Sequence, residues 1–95
     1  MAKGYWVAGV DVTDPRKYAT YKEFVGPYVA ARGGTFLTRA GKVLVKEGAA
    51  RARTVVIEFP SFADALAAYE DDAYTEGRKL RHGAGELDLV IVEGE

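Results

Sequence analysis

The stretch RTVVIEFP at residues 53–60 sets a lone carboxylate, Glu58, inside an otherwise apolar run. A carboxyl group desolvated in a cleft has a raised pKa and can serve as general base or acid, so Glu58 is the first candidate for proton chemistry. The competing reading is an exposed strand-end charge, or one paired with an arginine. His82 is the only histidine. Its titration range suits a proton shuttle, and it stands as the second catalytic candidate. Near the end of a helix it is also a cation that the helix dipole favours. Arg39 and Arg53 sit among apolar residues, where a guanidinium can hold a substrate carboxylate through two parallel bonds or form a salt bridge at a strand end. Arg53 has the opposite parity to Glu58 along one strand, so Arg39 or Arg81 is the expected partner of Glu58. The six tyrosines include Tyr18, Tyr21 and Tyr28 in one segment and Tyr69 and Tyr74 in a later one. Phenols build a pocket that is apolar with a few donors, and they also serve as core residues whose hydroxyls reach the edge. Tyr21, Arg39 and Tyr69 are the substrate-binding candidates.

Other chemistries find no support. The chain has no cysteine, which removes disulfides, thiolate catalysis and cysteine-ligated zinc. The acidic run Glu70, Asp71 and Asp72 lacks the spacing of a calcium loop, and no metal site is expected. GAG at 83–85 precedes a strand and has no third glycine, whereas the dinucleotide fingerprint follows a strand and opens a helix. No cofactor is implied. With 13 basic against 14 acidic residues and a formal charge of −1, the chain has no field that favours nucleic acid or an anionic membrane. GRKLRH at 77–82 is too short and isolated to change that.

These residues must be positioned by a small set of elements. Residues 4–12, GYWVAGVDV, alternate with period two, with Trp6, Ala8, Val10 and Val12 on one face. Asp14 followed by Pro15 marks a helix start. The helix carries an apolar stripe of Tyr18, Tyr21, Val25, Tyr28 and Val29, with a kink or break expected at Pro27 and an end at Gly33 and Gly34. TFLTRAGKVLVKEG at 35–48 reads as a hairpin joined at Gly41 or as one bulged strand. The strand at 53–60 follows. Ser61 then opens a helix with Phe62, Ala65, Leu66 and Tyr69 inward, Asp72 caps a shorter one that ends near Gly83 or Gly85, and ELDLVIVEG forms the last strand.

The order is β-α-β-β-α-β, the split motif of the ferredoxin-like α+β fold, with both helices on one face of an antiparallel sheet. Val55, Ile57 and Phe59 take one face of the third strand and Val56 the other; on the last strand Leu87, Leu89 and Ile91 oppose Val90 and Val92. A sheet wet on one side alternates apolar with polar residues, and this one is apolar on both. The simplest cover for the open face is a second copy related by a two-fold axis. A homodimer burying about 1,600 Å² in total would also relieve the thin margin of a chain of this size.

GGTFLTRAG at 33–41, RTVVIEFPSFADALAAYEDDAY at 53–74 and the terminal DLVIVEG together resemble the DUF1330 family of small proteins, over nearly the whole chain. That resemblance implies a dimeric α+β barrel, in which two sheets face each other. Relatives of such barrels include cofactor-free monooxygenases of antibiotic biosynthesis, muconolactone isomerase and chlorite dismutase. It supplies no catalytic motif to carry over, and the haem-binding relatives are larger.

The expectation is therefore one domain over residues 1–95, a homodimer with a pocket per subunit between the sheet and the first helix, near Tyr21, Arg39, Glu58 and His82. Cofactor-free proton transfer, isomerisation or oxygenation of a small aromatic or carboxylated compound is compatible with the composition. A binding or structural dimer without turnover is the alternative. The N-terminus lacks the apolar core of a signal peptide and no apolar stretch approaches ~20 residues, so a cytoplasmic location and no membrane span are expected.

Overall fold

A computed structural model describes residues 2–95. The chain runs β1 (Gly4–Val12), α1 (Pro15–Ala31), β2 (Thr35–Thr38), β3 (Arg53–Phe59), α2 (Phe62–Glu70), α3 (Asp72–Arg78), a 3₁₀ turn (Lys79–Arg81) and β4 (Gly85–Glu93). The strands form one antiparallel sheet in the order β2-β3-β1-β4, the ferredoxin-like arrangement.

Register explains why both strand faces are apolar. Trp6 lies between Ile57 and Ile91, and Ala8 between Val55 and Leu89, on the face under the helices. One residue along, Val7 lies between Val56 and Val90 on the opposite face. The helix-side face is the core. Trp6 packs at ring-centroid distances of 5.2 Å from Phe59, 5.8 Å from Tyr69 and 5.0 Å from Tyr74, and its indole N–H donates to the Ala65 carbonyl at 2.8 Å. Each such ring removes an area from water that stabilises the fold by about 1.5–3 kcal/mol.

The helix ends follow from local chemistry. Asp14 accepts from the Lys17 amide at 3.1 Å and Pro15 occupies the first turn, where its missing N–H costs nothing. At the other end Gly33 has φ +81°. Its amide bonds to the Ala30 carbonyl and the Gly34 amide to Val29, the paired closure that a left-handed glycine permits. Ser61 caps α2 through the Asp64 amide at 3.1 Å.

Four expectations are corrected. Pro27 does not divide α1: the proline faces solvent, where the carbonyl it leaves unpaired can bond water, while Val25 and Val29 on either side are buried and hold the helix against the sheet. Residues 35–48 are neither a hairpin nor one long strand, because β2 stops at Thr38 and residues 39–52 run as an exposed irregular segment with no strand beside them to pair with. Asp71 rather than Asp72 caps α3, accepting from the Ala73 amide at 2.8 Å. Phe62, expected inward, is exposed, and Ala68 takes its place with Ala65 in the α2 core face.

Candidate functional site

A pocket of about 210 Å³ opens between the sheet and α1. Its floor is Trp6 and Ala8 of β1, Val55 and Ile57 of β3, and Leu89 of β4. Tyr18, Tyr21, Lys22 and Val25 of α1 form one wall; Phe36, Arg39, Ala40 and Arg53 form the other. The chamber is apolar, with cations confined to its rim. Among the described residues its lining contains no carboxylate.

Arg39 reaches this pocket through a bulge. Phe36 pairs with Ile57, but Thr38 pairs with Val56, so Leu37 is an extra residue on β2. Without it, strict alternation would send Arg39 to the face away from the helices; the bulge reverses the parity of everything after it. Thr38 secures the distortion, its hydroxyl donating to the Thr54 carbonyl at 2.9 Å and accepting from the Val56 amide at 3.0 Å. The Arg39 guanidinium then lies 4.2 Å from the Phe36 ring centroid and donates to the Lys22 carbonyl at 3.4 Å, spanning the rim from β2 to α1. Arg53 lies 5.9 Å from the centroid of the Tyr18 ring.

Among the described residues, Tyr21 is one of two tyrosines that line the chamber. Its hydroxyl shares a 2.7 Å hydrogen bond with that of Tyr74, which is fully buried. Burial pushes the Tyr21 phenol far above its ordinary range, and the adjoining Tyr74 oxygen adds to this. The group is held neutral, able to take part in hydrogen bonds but a weaker acid than an ordinary phenol. Tyr18 is shifted the same way by burial, opposed by Arg81 and Arg53.

Of the residues singled out by sequence, Tyr21 and Arg39 meet here. Glu58 does not: it projects from the opposite sheet face, beside Tyr5 of β1, and pairs with Lys3 at 3.0 Å rather than with Arg39 or Arg81. Lys3 precedes β1 by one residue, and antiparallel register lays the start of β1 against the end of β3, a proximity that requires the strand order to be known. His82 is exposed beyond the 3₁₀ turn and borders a separate cavity. Tyr69, half-buried on α2, packs against α3 away from this pocket, its ring 5.2 Å from Tyr74 and its hydroxyl accepting from Arg78. Arg53, weighed as a carboxylate ligand, does line the pocket. Tyr18, weighed with the other tyrosines as a pocket residue, also lines it, whereas Lys22, Phe36 and Leu89 were not foreseen there; the signal for Leu89 was its parity with Trp6 and Ile57 across the sheet. Among the described residues no cluster of histidine and carboxylate side chains is arranged to hold a metal, and no helix is long and apolar enough to cross a membrane.

The sequence matches, over residues 3–95, the family described as a domain of unknown function, DUF1330. Solved structures share the fold. A protein of unknown function from Rhodopseudomonas palustris, RPA0582, superposes with a TM-score of 0.71 at 21% identity, covering 96% of this chain and 81% of that one. The methylated form of RPA0582 gives 0.74 at 21% identity, over 99% and 82%. A protein from Nitrosomonas europaea provisionally named an antibiotic biosynthesis monooxygenase gives 0.55 at 18% identity, over 98% and 89%. No curated protein sequence matches the chain.

Proposed function

The chain belongs to the DUF1330 family, and from that premise and the pocket's chemistry we propose that it binds a small, largely apolar acid between the sheet and α1. The observation that carries this reading is an apolar chamber rimmed by Lys22, Arg39 and Arg53 with no carboxylate in its lining. An apolar body enters the chamber while a carboxylate meets the guanidinium groups, and an uncharged phenol at Tyr21 orients it. At about 210 Å³ the pocket is smaller than the roughly 300–1,000 Å³ usual for drug-sized ligands, so a single ring bearing one acid group is the fitting class.

The same reading makes the working unit a homodimer joined through the open sheet face. Val90, Val92 and Leu37 on that side are 59%, 45% and 50% exposed. Around this apolar centre stand ion pairs: Lys3 with Glu58 at one end, and Arg51 with Asp11, Glu86 and Asp88 at the other. An apolar core within a charged rim is the anatomy of a protein interface. On this reading Glu58 belongs to the rim rather than to catalysis.

If the protein turns its ligand over, the neutral Tyr21 hydroxyl serves as a hydrogen-bonding group in a cofactor-free proton transfer, isomerisation or oxygenation; binding without turnover uses the same contacts. The N. europaea protein's name is compatible with oxygenation, which rests on shared fold alone. The test is calorimetric titration with benzoate and phenylacetate, and with the matching amides. Saturable binding of the acids but not the amides, weakened about tenfold or more in Arg39→Ala and unchanged in Glu58→Gln, supports the reading. Equal binding of acids and amides, or loss of binding in Glu58→Gln with Arg39→Ala unaffected, overturns it.

A further inference from the structure

Four cations pair with carboxylates among the described residues, and of those left over Arg81 stands out by a buried nitrogen. Exposed Lys3 and Lys79 have carboxylate partners, Arg32 pairs with Asp71, and Arg51 collects Asp11, Asp88 and Glu86. Arg81, which is half-buried, forms no ion pair among the described residues, and its Nε is buried without a hydrogen-bond partner. A desolvated guanidinium without a counter-charge is unfavourable, and a buried N–H without an acceptor adds to that cost. The face of Tyr21, 5.2 Å from the guanidinium carbon, and the Tyr74 and Tyr21 hydroxyls beside the guanidinium offset part of it, leaving Nε without an acceptor and the charge without a counter-ion. Glu86 borders the same small crevice as Arg81, but its carboxylate is drawn away to Arg51 at 3.0 Å.

Arg81 also lines a cavity of about 380 Å³ between the end of α3 and the turn into β4, together with Thr75, Arg78, Lys79, His82 and Gly83. The turn is opened by Gly83, with φ +78°, and the Lys17 ammonium lies 3.7 Å from where a Cβ on that glycine would stand. Four residues of one short segment thus carry or can carry positive charge around a single hollow, in a chain whose net charge is −1. Among the described residues the only acid in an ion pair with them is Glu76, bound to Lys79.

We propose that this cavity is a binding site for a small multivalent oxyanion, a phosphoryl or polycarboxylate group, with Arg81 as its buried anchor and Arg78, Lys79 and Lys17 supplying further charge. The fork of a guanidinium matches two oxygens of such a group, and the anion provides the counter-charge that no protein side chain supplies. The site is separate from the apolar pocket and does not depend on what that pocket binds. It owes nothing to a glycine-rich phosphate loop: the recognition comes from side chains.

Titration of the ¹⁵N-labelled full chain with sodium pyrophosphate, and separately with citrate, at ionic strength held constant with sodium chloride, tests this. Saturable shifts confined to residues 75–85 and Lys17 are expected, the stronger anion identifying the group preferred. Lys79→Glu, at an exposed position, and Arg81→Gln each weaken the response about tenfold or more. Shifts that follow ionic strength without saturating, or saturable binding indifferent to both substitutions, overturn the proposal. Should Arg81→Gln unfold, Lys79→Glu alone decides.

Discussion

At the scale of single residues, the Tyr21–Tyr74 hydroxyl pair has consequences both for stability and for pH. Tyr21→Phe keeps the ring and strands the fully buried Tyr74 hydroxyl, costing about 1–2 kcal/mol, which urea denaturation resolves. Burial raises the folded-state pKa of Tyr21 above its unfolded value, and Tyr18 and Tyr28 are shifted in the same direction by the same cause. The stabilising contribution of a neutral buried phenol is therefore complete below about pH 10 and is lost as pH rises through the folded value. Stability measured by denaturant midpoint is expected to fall above about pH 10, and to fall less steeply in Tyr21→Phe. A flat profile to pH 11 in the parent protein would remove the claim.

At the scale of elements, what could be read from sequence and what could not divide along a physical line. Caps, strand parity and the doubly apolar strands are local or period-two properties, so Asp14, Ser61, Trp6 and Val56 declared their roles directly. The bulge at Leu37 is a single inserted residue with no composition signal of its own, and it decides which face Arg39 serves. KVLVK at 42–46 has strand composition, yet no neighbouring strand offers it hydrogen bonds, and it stays irregular. The approach of Arg81 to Tyr21 depends on how the 3₁₀ turn packs on α1, which no spacing encodes. Pro27 shows tertiary contacts overriding propensity: the helix persists because both flanks are buried. Pro27→Ala restores one hydrogen bond at an exposed position and is expected to stabilise the protein by roughly 1–2 kcal/mol, seen as a higher thermal midpoint. A lower midpoint would show that the proline shapes α1 in a way the packing needs.

At the scale of the whole molecule, the open sheet face governs behaviour in solution. A Val7, Val56, Val90 and Val92 patch left to water is unfavourable for a monomer and invites non-specific contact, whereas a two-fold partner buries it. Val90→Lys puts a charge into that patch without touching the helix-side core. Sedimentation at micromolar concentration is expected to report a dimer for the parent and a monomer for the variant, with the near-ultraviolet signature of the Trp6 cluster retained. A parent that sediments as a monomer would mean that the face is covered by something else.

The start of β1 and the end of β4 lie side by side, the Gly94 amide donating to the Lys3 carbonyl at 2.7 Å. The chain is thus nearly a closed ring, open at one seam, with its longest irregular stretch, residues 39–52, between β2 and β3. Stitching the seam with a few glycines and cutting within 41–49 would yield a permuted protein that begins at β3 and ends at β2. Every strand would keep its neighbours, so the permutant should fold to the same sheet, turning that exposed stretch into a pair of new ends for fusion to other proteins.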